Sequence, residues 1–239
     1  MNTSQEPVAI MTGASSGMGL GLTQALLERG WRVVGTSRTI SKSKELKPSP
    51  DLVLVDGEIS KKETAVKVVE AALNHFGRID LLVNNAGIFI PKAFTDYTEE
   101  AYNLVMNTNV AGFFFMTRHV IPQMKKQNSG HVVNISAVLV YQPNGALPAA
   151  LALLSKSPMP AVSKALALEY AANNIRFHTV SPAIRRCMPR RIMRRWRSFI
   201  PWQGWVKFFD IVDAVLYLQN AIFVTGENIR VDGGVHAGR

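Results

Sequence analysis

Thr12-Gly13-Ala14-Ser15-Ser16-Gly17-Met18-Gly19 decides the reading of this chain. A short apolar run at 8–12 precedes it, and a segment of helical period follows and stops near Arg29-Gly30. Glycines let a backbone approach a pyrophosphate closely, and a helix starting directly after them offers free N–H groups and the positive end of its dipole. The alternative, a tight turn that merely packs helix on strand, is disfavoured by the strand–glycine–helix order. Gly13, Ser15, Ser16, Gly17, Met18 and Gly19 are therefore the expected phosphate-side contacts.

Working outward, apolar and β-branched runs recur at 32–36, 52–55, 81–84, 131–135, 176–180 and 228–231, giving seven candidate strands with the first. Helical stretches lie between them. In 62–76 the spacing of Val66, Val69, Leu73 and Phe76 predicts one apolar face, and Gly77 is placed to end the helix. Strand alternating with helix throughout implies one α/β domain over 1–239, a doubly wound, seven-stranded parallel sheet with helices on both faces. Ligands of such sheets sit beyond the carboxyl ends of the strands.

The 239 residues are 47% hydrophobic and 18% charged, which excludes a disordered or collagen-like chain. The polar start Met1-Asn2-Thr3-Ser4-Gln5-Glu6 lacks the apolar core of a secretory signal, and the single cysteine, Cys187, suits a reduced compartment. A cytoplasmic location is expected. The formal charge of +10 is very uneven: of 27 basic residues, seven arginines and Lys207 fall between Ala183 and Lys207, leaving 19 basic against 17 acidic elsewhere. The basicity belongs to one segment.

At the end of the second strand stand Ser37 and Arg38, where an acidic residue would bind the ribose hydroxyls of NAD(H). A hydroxyl and a guanidinium suit a 2′-phosphate instead, so NADP(H) is expected over NAD(H). Asn84-Asn85-Ala86-Gly87 follows the fourth strand, and Thr225-Gly226-Glu227 leads to Val231-Asp232-Gly233-Gly234 near the end.

With the glycine turn, these motifs resemble the short-chain dehydrogenase/reductase family over nearly the whole chain. The resemblance implies a single Rossmann domain, a nicotinamide cofactor near Asn85, Ala86 and Gly87, a small carbonyl or alcohol substrate, and a homodimer or homotetramer. Glu58 stands where the family usually has an Asp near the adenine. The family's chemistry rests on an Asn-Ser-Tyr-Lys set. Asn109 matches its Asn, but the Ser position reads as Ala137 in Asn134-Ile135-Ser136-Ala137. Two registers exist for the Tyr-x3-Lys pair. Lys164 requires a deletion and puts Pro160 at the Tyr position, whereas Lys156 requires none and puts Ala152 there. Lys156 is preferred, and neither register supplies the tyrosine.

Missing hydroxyls remove a proton donor and the polarisation of a carbonyl oxygen. The expectation is an oxidoreductase with an impaired or atypical catalytic set of Asn109 and Lys156, with Tyr141 or Ser136 as replacement donors. Its rival is an inactive cofactor-binding scaffold or sensor. Lys156 is also expected at the cofactor ribose. After the sixth strand, Pro182 and Ile184 stand where the family seats the nicotinamide, but the family's downstream Thr is absent.

Residues 189–200 read as a helix with an apolar stripe of Ile192, Met193, Trp196, Phe199 and Ile200, flanked by arginines. A basic amphipathic helix suits an anionic membrane or nucleic acid. The family places a substrate lid here, so 183–209 is read as that lid, with Trp196, Trp202 and Trp205 lining a pocket, and contact with nucleic acid or membrane is not expected. A shifted reading frame in the coding DNA would also produce the acid-free run from Tyr170 to Phe209.

Overall fold

A computed structural model describes residues 6–145, 147–183, 200–202 and 204–237. The strands are β1 (Val8–Thr12), β2 (Arg32–Ser37), β3 (Leu52–Asp56), β4 (Leu81–Asn84), β5 (Gly130–Ile135), β6 (Ile175–Pro182) and β7 (Asn228–Val231). The helices are α1 (Gly17–Leu27), α2 (Lys62–Phe76), α3 (Glu99–Met106), α4 (Gly112–Gln127), α5 (Ala150–Lys156), α6 (Pro158–Glu169) and α7 (Phe208–Asn220). All seven expected strands form. They make one parallel sheet in the order β3-β2-β1-β4-β5-β6-β7, as expected for a doubly wound Rossmann-like domain. The chain reverses its direction of growth between β1 and β4, and this opens a crevice at their carboxyl ends.

Successive strand residues point to opposite faces, and each face has its own core. Ala9, Met11, Val33 and Val83 pack with Leu22 and Leu26 of α1 and with Ile211, Val215 and Leu218 of α7. Val8, Ile10, Val34 and Leu82 pack with α2, with Met116, Val120 and Met124 of α4, and with Ala167 of α6. Strands buried on both sides are why the sequence shows apolar runs rather than alternation.

Two expectations need correction. Helix α2 has the expected bounds, and Gly77 ends it at φ 75°. Its buried stripe, however, is Ala65, Val68, Ala72 and Phe76, with Val66, Val69 and Leu73 on the half-buried shoulders. Two alanines let the helix axis lie close to the sheet, so the bulkier side chains straddle the contact. The second correction concerns the β2–β3 crossover, which contains no α-helix. A single 3-10 turn, Ile40–Lys42, takes its place, and the segment plugs into the core through the fully buried Ile40 and through Leu46.

All of the helix expected at 189–200 except Ile200, together with Ile184 and most of the 183–209 segment, lies outside the described residues. In its described part Ile200 is buried with Val138, Ala183 and Val235, while Trp205 packs on Leu139, Leu147, Ala149 and Ala152. Trp202 is exposed. Among the described residues no helix is long and apolar enough to cross a membrane.

Candidate cofactor and active site

The glycine turn closes over the end of β1. Gly13 and Gly17 have φ of +67° and +60°, where a side chain would be strained. A Cβ on Gly19 would lie 2.2 Å from the Gly13 carbonyl oxygen and 2.5 Å from Asn85 Nδ2, so only glycine fits. Ser16 precedes α1 without capping it by its side chain, and the first turn carries no acidic residue. Those N–H groups and the helix dipole thus remain available to an anion. Ser15, Ser16, Gly17 and Met18 lie at least partly exposed around this helix start. A close-approach turn with an uncapped helix end fits a dinucleotide pyrophosphate.

Thr12 and Asn85 tie the turn to β4. Thr12 Oγ1 donates to the Val83 carbonyl and accepts from the N–H groups of Asn85 and Ala86, both at 3.0 Å. Asn85 Nδ2 donates to the carbonyls of Thr12 (2.8 Å) and Gly13 (3.3 Å). Asn85, expected at the cofactor, therefore uses its amide N–H groups to hold the glycine turn. At the end of β2, Ser37 is half-buried and Arg38 exposed. Glu58 is also exposed, its carboxylate accepting from Ser60 Oγ at 2.8 Å.

Asn109 lies in a five-residue π-helical turn, Asn107–Ala111, inserted between α3 and α4. Its Oδ1 accepts from Ile88 N–H at 2.8 Å, and its Nδ2 donates to the Ile88 carbonyl at 3.0 Å and to Ser155 Oγ at 2.9 Å. Ser155 Oγ in turn donates to the Ala152 carbonyl at 2.8 Å. Lys156 comes next, at the end of α5. Its Nζ donates to the carbonyls of Ile135 and Ser136, each at 3.3 Å, and Ser136 Oγ donates back to the Lys156 carbonyl at 3.1 Å. Burial pushes the Lys156 amine down to about 8, because charge is costly away from water.

Lys156, Asn109, Ser155, Thr12 and Ala86 line one pocket of about 20 Å³, room for about one water. The backbone of Gly87 borders it, since a Cβ there would lie 3.2 Å from Asn109 Oδ1 and 3.7 Å from Lys156 Nζ. The rival Lys164 is exposed on α6. Ser163, beside it, is buried in a hydrogen-bonded chain with Asn134 and Thr179, and Asn134 bonds onward to Asn84 and so to Thr117. Sequence reasoning missed this chain and Ser155. Asn84 and Asn134 are register partners in adjacent strands, a signal available once β4 and β5 are paired.

Tyr141 lies elsewhere. Its ring sits 4.6 Å beneath the Arg230 guanidinium of β7, and burial raises its hydroxyl pKa despite that charge. Among the residues lining the Lys156 pocket Tyr141 is absent. Pro182 is buried at the end of β6, register partner of Val231, and Ile184 lies outside the described residues. Ala137 and Ala152 stand together in an apolar cluster with Leu139, Leu147, Phe89 and Trp205.

Residues 13–236 match the family described as enoyl-(acyl carrier protein) reductase. The chain belongs to the short-chain dehydrogenase/reductase family. Among its relatives, an acetoacetyl-CoA reductase of Acinetobacter sp. (strain RA3849) is 30% identical over 98% of this chain and 99% of its own. A 3-oxoacyl-[acyl-carrier-protein] reductase of Thermotoga maritima is 30% identical over 95% of this chain and 97% of its own. The solved structure of 3-ketoacyl-(acyl-carrier-protein) reductase from Brucella melitensis, complexed with NADH, superposes with a TM-score of 0.87 at 29% identity, covering 98% of this chain and all of that one. This short-chain dehydrogenase/reductase thus shares its fold and chain span with ketoacyl-type reductases.

Proposed function

We propose that the chain is an NADP(H)-dependent carbonyl reductase with an atypical proton donor. The observation that carries this reading is the meeting of Lys156 and Asn109 in one pocket that Thr12 and Ala86, flanking the glycine turn, also line. Gly13, Ser15, Ser16, Gly17, Met18 and Gly19 would hold the pyrophosphate, Ser37 and Arg38 the 2′-phosphate, and Ala86, Gly87, Pro182 and Lys156 the nicotinamide half. A nicotinamide bound there exchanges hydride with a carbonyl carbon. Ala137 and Ala152 carry methyl groups where the family places hydroxyls, so the proton falls to another group. Two of the three Lys156 N–H bonds go to Ile135 and Ser136, leaving one for a ligand. An amine lowered to about 8 is still largely protonated near neutral pH and releases its proton more readily than an ordinary lysine. Asn109 orients Ser155 and the α5 end that carries this amine. Tyr141, turned to Arg230, has no part in this reading.

The reductase relatives suggest 3-oxoacyl thioesters as first substrates. NADPH consumption with acetoacetyl-CoA, followed by its absorbance, tests the reading. Lys156→Ala is expected to lower the rate at least about 100-fold, the usual size of a positioned proton donor, and unchanged turnover removes Lys156 from the mechanism. In calorimetry Arg38→Asp is expected to weaken NADPH and spare NADH.

A second reading, a cofactor-binding sensor or scaffold without turnover, is favoured by the apolar packing of Ala137 and Ala152 under Trp205. Tight NADPH binding with no carbonyl in a broad panel reduced above the cofactor-only blank selects it. For assembly we infer a homodimer or homotetramer, supported by an apolar groove between α4 and α6 that includes Phe114, Ile121, Leu166 and Tyr170.

A further inference from the structure

The β2–β3 crossover holds a side-chain pair that the proposed reaction leaves unused. Ser37 and Asp56 are register partners at the ends of parallel β2 and β3, and the Gly57 N–H donates to the Ser37 carbonyl at 3.0 Å. The Asp56 carboxylate therefore emerges beside the strand end that carries Ser37 and Arg38. Left bare, a carboxylate at that end of the crevice would accept the ribose hydroxyls of NAD(H) and repel a 2′-phosphate. It is not bare. Asp56 Oδ1 accepts from the Ser41 N–H at 2.8 Å, and Oδ2 accepts from Ser41 Oγ at 2.5 Å. These two bonds, with smaller contributions from the Ile40 N–H and the charge of Lys42, hold the Asp56 carboxyl below its usual range, so the group is masked by donors and not neutralised by a proton. Ser41 cannot readily swing away, because the neighbouring Ile40 is fully buried and Leu46 is buried five residues on.

We propose that Ser41 masks Asp56 and thereby lets the nucleotide site accept a 2′-phosphate. The pair is a specificity device at the adenosine end of the cleft, and it rests on the reading of the glycine turn as a nicotinamide-dinucleotide site. Ser41→Ala frees one carboxylate oxygen while keeping its charge. Asp56→Asn removes the charge while its remaining carbonyl oxygen can still accept the Ser41 N–H. The two variants should move cofactor preference in opposite directions, which a simple loosening of the loop would not do.

The experiment is calorimetric titration of the full chain and both variants with NADPH and with NADH. Ser41→Ala is expected to weaken NADPH roughly tenfold, the scale of one charge-assisted hydrogen bond, with NADH unchanged or tighter. Asp56→Asn is expected to keep or strengthen NADPH, so that the NADPH-to-NADH affinity ratio rises. Parallel weakening of both nucleotides in both variants, or a ratio the same as wild type in both, overturns the masking role alone. Wild-type protein that binds neither nucleotide overturns the cofactor reading and this inference with it.

Discussion

Single glycines and single polar atoms set the site, and they differ in how far a sequence reveals them. The glycine pattern at 13, 17 and 19 is visible before any fold is known, while its reasons, positive φ at Gly13 and Gly17 and close approach to Asn85 at Gly19, appear only in the structure. Gly19→Ala would drive a methyl group into the Gly13 carbonyl and the Asn85 amide. It is expected to cost about 1–3 kcal/mol of stability, as overpacking does, and to weaken NADPH binding, read by thermal unfolding and calorimetry on the same protein. An alanine that unfolds and binds like wild type would remove the close-approach role from Gly19. The bond partners of Asn85 and Asn109 were not legible in the same way. An asparagine can serve ligand or backbone equally well, and which it serves depends on atoms brought from β1, α5 and the loop after β4.

At the level of elements, strands were easiest to read because burial on both faces makes them continuous apolar runs. The face of α2 was misread because two alanines define its contact, and small side chains give a weak apolar signal. The β2–β3 connection was expected to be helical by analogy with the other crossovers, yet one 3-10 turn with two buried plugs spans it. A third feature joins elements far apart in sequence: His131 Nδ1 meets Gln219 Oε1 of α7 at 2.6 Å, and its Nε2 meets His178 Nδ1 of β6 at 2.8 Å. Burial comes first among the causes that lower both imidazoles, with the Arg176 charge adding to it, and His178 falls from 6.5 to about 4. The Val224 carbonyl opposes the shift of His178 only in part. Because the folded pKa lies below the unfolded one, the neutral pair stabilises the fold above about pH 6.5, and that contribution is lost as pH falls toward 4. Thermal midpoints followed across this window should drop more steeply in wild type than in His178→Asn, a difference that cancels the carboxylates common to both. Equal slopes would mean that His178 takes up its proton over the same pH range in the folded and unfolded chain, so that burial does not lower it.

At the scale of the whole molecule, an apolar groove rimmed by cations stands out on the described surface. The excess of positive charge belongs to the stretch ending at Lys207, while α4 and α6 present an apolar groove of about 720 Å³ lined by Phe113, Phe114, Ile121, Val162, Leu166 and Tyr170. Phe114, on α4, is half exposed. Large apolar side chains clustered on helices of a soluble monomer are uncommon, and covering them with a second copy removes that area from water. The lysines and arginine at the groove rim, Arg118, Lys125 and Lys126, would repel their symmetry mates, so the apolar centre has to carry the association. Phe114→Glu places a charge at that centre while leaving both sheet cores untouched. Sedimentation velocity is expected to show a dimer or tetramer for wild type and a smaller species for the variant, with the thermal midpoint of the variant falling because the folded protomer loses its partner. A wild-type chain that sediments as a monomer, or a Phe114→Glu chain that keeps the wild-type assembly, would move the interface off this face and leave the α4–α6 groove without a role in assembly.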